Sequence, residues 1–362
     1  MSENATATRP LPRIVLPKNA VAVVGHEFNM YYNNVIFCDN LDNYMVTCSI
    51  SPNPDRKIFN KENTLVLSDC FRTTPPAGSE GDYQVKLAVS DKMTAEVLAS
   101  GSYTLHVIPD EIKQPARVMF LGDSLTDVGI YVAETLRMAG GKFTSIGTRA
   151  RTITLDGVEY PIVHEGRAGW SPYDYTSEKE CKAGRFTGEE NPFRNPETNT
   201  FDFAYYMNSR GLDGLDVVYM NLGTNGSWAH DLTCEAMDEI IASIHAYDPN
   251  IKIIVSLIAL GSTQDGFALS TGLDPGPVFR RNAIMLNQRY LKMYEDTLEN
   301  VSPAEVYFCL DSINDFPSKE IPLSSRNPVM KAVPADNVHP NFYGYLKLAD
   351  VCYNNILYVL GK

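Results

Sequence analysis

Arg117-Val118-Met119-Phe120-Leu121-Gly122-Asp123-Ser124-Leu125-Thr126-Asp127 changes character twice within a few residues. Val118–Leu121 is a run of consecutive apolar residues, as expected of a short strand buried on both faces. Gly122-Asp123-Ser124 has turn chemistry. Beyond it Val128, Tyr131, Val132, Thr135, Leu136 and Ala139 recur at the spacing of an amphipathic helix. A buried strand that passes directly into a helix is the repeating unit of a parallel α/β sheet.

The same alternation continues toward the C-terminus. Asp216–Leu222 reads as a strand, followed by a helix carrying Met237, Ile240, Ile241, Ile244 and Tyr247. Ile251–Leu260 is a further strand, Phe279–Leu298 a helix and Val306–Leu310 the last strand. A closing helix carries Leu346, Ala349, Tyr353, Ile356 and Leu360 on one stripe. Residues 117–362 are therefore expected to form a parallel sheet covered by helices on both faces. Residues 171–214 lack periodicity and are rich in aromatics, Gly, Pro and Asn, so they read as an irregular insertion.

Toward the N-terminus the period changes from helical to two. Tyr83, Val85, Leu87 and Val89 share one face of a strand, as do Tyr103, Leu105 and Val107. Turn clusters such as Ser51-Pro52-Asn53-Pro54-Asp55 separate these runs. Residues 14–110 are expected to form a small all-β sandwich without helices, with 111–116 as a linker and 1–13 as a flexible end.

At 362 residues the chain is long enough for the two domains this division implies. A net charge of −13 argues against nucleic acid or an anionic membrane as partner, because phosphate binding needs clustered Lys and Arg. No apolar run reaches membrane-spanning length. The N-terminal segment has no apolar core of a signal peptide, so the expectation is a cytoplasmic protein, or a secreted one whose leader has been removed. Seven scattered cysteines form no CxxC pair and read as buried thiols rather than disulfides or a zinc site. Dispersed histidines without HExxH spacing give no reason to expect a metal, and no cofactor is implied. Oligomeric state leaves no mark in the sequence.

Catalytic groups in α/β sheets gather at the carboxyl ends of strands. Four such positions hold notable residues here: Gly122-Asp123-Ser124, Glu165-Gly166-Arg167-Ala168-Gly169-Trp170-Ser171, Gly223-Thr224-Asn225, and Asp336-Asn337-Val338-His339-Pro340-Asn341. In this order the blocks resemble the GDSL/SGNH hydrolase family over roughly Arg117–Lys362, and within it the bacterial carbohydrate O-acetyl esterases. The resemblance implies a flavodoxin-like three-layer sandwich and a catalytic triad of Ser124, Asp336 and His339. It also implies an oxyanion hole formed by the Ser124 and Gly169 N–H groups and the Asn225 side chain.

Elementary chemistry agrees with those roles. A serine hydroxyl is a weak nucleophile until a base accepts its proton, and histidine does so near neutral pH. Asp336, three residues before His339, is close enough to fix the imidazole tautomer. Asp123 reads as the residue that bonds the turn holding Ser124. Asn225-Gly226-Ser227 is formally a glycosylation sequon, but a glycan there would block the site, which argues against passage through a eukaryotic secretory pathway; the resemblance implies a bacterial origin. His164 and His230 lie close enough in sequence to border the pocket.

Trp170, Trp228 and Tyr173 flank the blocks and are the expected platforms for a sugar ring. Tyr205 and Tyr206 are either further platforms or core. The expected activity is hydrolysis of short-chain, acetyl-type esters on a glycan through an acyl-serine intermediate. The alternatives are a lipase- or thioesterase-type enzyme of the same family and a catalytically silent carbohydrate-binding protein.

Overall fold

The computed structural model describes residues 11–38, 40–52, 58–66, 70–177, 188–258, 276–295, 306–309 and 338–361. It divides into two compact units, Met1–Val107 and Ile108–Lys362. The boundary falls three residues before position 110. Asp110 itself accepts from Lys142 Nζ at 2.9 Å and from the Tyr353 hydroxyl, so it is tied to the second unit.

The first unit contains β1 (Arg13–Ile14), β2 (Asn19–Val23), β3 (Phe28–Tyr31), the one-turn helix α1 (Tyr32–Val35), β4 (Ile36–Phe37), β5 (Tyr44–Ser51), β6 (Thr64–Val66), β7 (Cys70–Thr73), β8 (Gly81–Asp91) and β9 (Val97–Ile108). They pair as β2-β9-β8-β5, β3-β7-β6 and β1-β4. The period-two reading holds in β8, where Tyr83, Val85, Leu87 and Val89 are buried while Gln84 and Lys86 face solvent. α1 was not expected, because four residues are too few to show a helical period.

The second unit is mixed α/β. It contains β10 (Ala116–Gly122), α2 (Ser124–Val128), α3 (Ile130–Ala139), β11 (Phe143–Ile146), β12 (Arg149–Leu155), β13 (Val158–Gly166), α4 (Pro172–Ser177), α5 (Phe203–Ser209), β14 (Val217–Asn221), α6 (His230–Tyr247), β15 (Lys252–Ser256), α7 (Gly276–Tyr290), β16 (Val306–Cys309) and α8 (Phe342–Gly361). β10 lies between β14 and, on its other edge, β11 followed by the end of β13; β15 and β16 continue beyond β14. All of these pairs are parallel. Strand order therefore reverses at β10, where open α/β sheets leave a crevice at their carboxyl ends. Val118–Leu121, Val217–Met220 and Ile253–Val255 are buried throughout, as continuous apolar strands require.

Several elements depart from the sequence reading. Ala116 starts β10 rather than ending a linker, since it pairs with Phe143. The helix after Ser124 is interrupted at Gly129, whose φ of +83° ends α2 and lets α3 begin in a new direction. The β12–β13 hairpin was not anticipated. The described residues of 171–214 include two short helices, α4 and α5. In α8, Val351–Leu357 are all buried, so the helix is enclosed well beyond a single stripe.

Candidate active site

The chain turns at Gly122 with almost no room to spare. A Cβ there would collide with the Thr126 side chain and lie 2.9 Å from the Asn221 carbonyl, so only glycine fits. Asp123 caps α2, its Oδ1 accepting from Leu125 N at 2.9 Å, which makes Ser124 the first helical residue. This is the turn-forming role expected of Asp123. Its carboxyl is fully buried, and burial pushes it up to about 6 against the opposing effects of the Leu125 N–H and of His339.

His339 approaches from the other end of the sequence. Its Nε2 lies 2.7 Å from Ser124 Oγ, although 215 residues separate them. Asn341 caps the start of α8 by accepting from Gly344 N at 3.0 Å, which anchors the segment carrying His339. Asp336 lies outside the described residues.

The glycine block follows β13. Leu121 and Gly122 pair with Glu165 and Gly166. Gly166 is also obligatory, because a Cβ there would collide with Asp127 N. Arg167 N then donates to the Gly122 carbonyl at 2.8 Å, and Trp170 N closes a turn onto the Arg167 carbonyl at 3.1 Å. Gly169 occupies the left-handed position of that turn at φ +82° and is exposed.

Asn225 lies in the 3-10 turn Thr224–Gly226 after β14, and its Nδ2 donates to the Trp170 carbonyl at 3.1 Å. An amide nitrogen carries two N–H groups, so this bond orients the side chain and leaves a second donor. The structure thus brings Ser124 and His339 together, and separately joins the Asn225 loop to the Gly169 loop.

The aromatic platforms divide. The Trp170 ring is only 2% exposed and packs edge-on against Tyr175 at 4.9 Å, so it is not a surface on which a sugar can stack. Its position beside the glycine block carried no information about direction: in this turn its carbonyl points to Asn225 and its ring points inward. Trp228 is 65% exposed and Tyr173 44% exposed, so both rings are accessible. Tyr206 is buried in the core, whereas Tyr205 is half-buried. His164 is fully buried and accepts from Gly166 N at 3.0 Å, shaping the turn rather than bordering a pocket. His230 Nε2 lies 3.0 Å from the Asn282 carbonyl at the start of α6.

The sequence reading missed a buried polar group under the glycine loop. Glu165 and Arg167 pair at 2.9 Å with both side chains fully excluded from solvent. Burial alone would raise the Glu165 carboxyl, but the Arg167 charge and hydrogen bonds from Thr148 and Tyr206 hold it below its ordinary value. Burial pulls Arg167 down in the same way, and Glu165 more than restores it. The available signal was a Glu and an Arg two positions apart at the end of a buried strand, since full burial of such residues requires pairing.

Among the described residues, no group of three His, Cys, Asp or Glu side chains is placed to hold a metal ion, and no helix is long and apolar enough to cross a membrane.

No protein-family model and no curated protein matches the sequence. Solved structures do. An acetyl esterase mutant with acetate ion is 16% identical, covering 68% of this chain and 98% of that one at a TM-score of 0.42. A carbohydrate acetylesterase from Sinorhizobium meliloti is 14% identical over 67% and 98% of the two chains, with a TM-score of 0.39. An aryl esterase from M. smegmatis is 15% identical over 67% and 99%, with a TM-score of 0.35.

Proposed function

We propose that the chain is a serine esterase of the GDSL/SGNH hydrolase family that removes short acyl groups, acetyl foremost, from a carbohydrate. The observation that carries this reading is the 2.7 Å approach of His339 Nε2 to Ser124 Oγ at the carboxyl end of a parallel strand. It is the geometry of a nucleophile and its base. Ser124 Oγ attacks the ester carbonyl as His339 takes the hydroxyl proton. The tetrahedral oxyanion is received by the N–H groups of Ser124 and Gly169 and the Asn225 amide. Collapse expels the alcohol, protonated by His339, and leaves acyl-Ser124; water activated by His339 then releases the acid. Asp336 orients the imidazole. The exposed rings of Trp228 and Tyr173 support a sugar as the alcohol part, because aromatic faces stack against the apolar faces of pyranoses.

The test compares the wild type with Ser124→Ala on p-nitrophenyl esters of increasing chain length. Acetate is expected to be the preferred acyl group, and the variant is expected to lose about 10⁴- to 10⁶-fold in kcat. Equal turnover by both proteins would end the proposal. Preference for octanoate would shift it to a lipase-type enzyme. Acetate release from a panel of acetylated glycans then identifies the alcohol part.

A further inference from the structure

The Glu165–Arg167 pair takes no part in the proton transfers above, and no substrate reaches it. A buried pair adds little net stability over apolar residues of the same size, so its contribution is better sought in what it fixes. Glu165 Oε1 accepts from Thr148 N at 2.5 Å, Thr148 Oγ1 at 2.7 Å and Tyr206 Oη at 2.7 Å. The Tyr175 hydroxyl lies 2.7 Å from both the Glu165 and Gly122 carbonyls and donates across them, joining the ends of β13 and β10. The Arg167 guanidinium lies 5.4, 5.5 and 5.4 Å from the ring centres of Trp170, Tyr175 and Phe193. Phe193 in turn stacks on Tyr206 at 4.1 Å and on Phe201 at 5.2 Å. Contacts therefore run without a break from residues 193–206 through Arg167 to Trp170, and through the Trp170 carbonyl to Asn225.

We infer that the Glu165–Arg167 pair, wedged by the aromatic stack of residues 193–206, is the positioning element for both oxyanion donors, the Gly169 N–H and the Asn225 amide. The inference rests on the esterase reading. Arg167 and Glu165 are positioning residues that act through the Arg167–Trp170 turn. In this role residues 193–206 buttress the glycine loop. Loss of the pair lets the turn shift, and a displacement of about 1 Å at the reacting centre can cost 10²-fold in rate.

The experiment separates turnover from stability. Arg167→Met leaves a carboxylate buried and unpaired, so it should lower both Tm and kcat. The double variant Glu165→Gln/Arg167→Met removes both charges at nearly constant volume. Its Tm should return to within a few degrees of the wild type, while kcat on p-nitrophenyl acetate stays 10- to 100-fold low. KM should remain within about twofold, and the acid limb of the pH profile should not move, because His339 is untouched. A double variant with wild-type Tm and wild-type kcat overturns the inference. Should the double variant fail to fold, Phe193→Leu keeps both charges and loosens only the wedge; a several-fold drop in kcat at constant KM supports the inference, and an unchanged kcat overturns it. A wild-type protein that is inert toward esters and whose Ser124 is not labelled by a fluorophosphonate overturns the esterase reading and this inference together. Active wild type with unmoved variants overturns this inference alone.

Discussion

The two sides of the candidate site are built by opposite means. On the glycine-loop side, Gly166–Trp170 stands on a solvent-free ion pair, a bridging tyrosine hydroxyl and a stack of rings. On the nucleophile side, Ser124 and His339 meet through a hydrogen bond, both half-buried, with Asp123 beneath them. The difference matches what each side would have to do. Groups that receive developing charge work best when fixed in advance, because they then need no reorganisation during the reaction. Groups that pass a proton back and forth must change partners, from serine to leaving alcohol to water.

After Ser124→Ala, the largest effect is expected on the glycine-loop side. Asn225→Ala removes both the proposed oxyanion donor and the bond to the Trp170 carbonyl. Its kcat on p-nitrophenyl acetate should fall about 10²- to 10³-fold with little change in KM; a loss confined to KM would mean that Asn225 binds substrate instead. Next comes Trp228→Ala on the exposed rim, where losing one stacking face of about 0.5–1.5 kcal/mol should raise KM for an acetylated glycan about 2- to 10-fold. The same variant should leave p-nitrophenyl acetate kinetics unchanged, and an equal effect on both substrates would remove the ring from sugar recognition.

The smallest effect tests the nucleophile side through Asp123. With its carboxyl pushed up to about 6, Asp123 is ionised at pH 7 and takes up its proton as the pH falls through that value. Its negative charge favours imidazolium at His339, so Asp123→Asn should move the acid limb of the kcat/KM profile toward lower pH, by less than about one unit. A shift toward higher pH would contradict the placement of that charge beside His339.

The candidate site was legible in the sequence only in part. Ser124, Asn225 and His339 were expected from the motif blocks that resemble the GDSL/SGNH family, and the apolar pattern placed the blocks of Ser124 and Asn225 at strand ends. The ion pair was not legible, because charged residues beside a loop give no sign of which way their side chains face. The β12–β13 hairpin did carry a signal. Asp156-Gly157 is the two-residue turn of a type I′ hairpin, with φ of +49° and +79°. β13 departs from a regular pattern only at its end, where His164, Glu165 and Gly166 are buried in place of apolar residues. α4 and α5 are each shorter than two full turns, below the length at which a helical period emerges.

The pair of obligatory glycines has a consequence for anyone who would recast this pocket. At Gly122 and Gly166 even a methyl group meets backbone or the Thr126 side chain, so neither position accepts any other residue. Libraries aimed at a new alcohol part have their freedom in the outward-facing rings, Trp228 and Tyr173, where side chains can be exchanged without disturbing the two strands on which the chemistry is mounted.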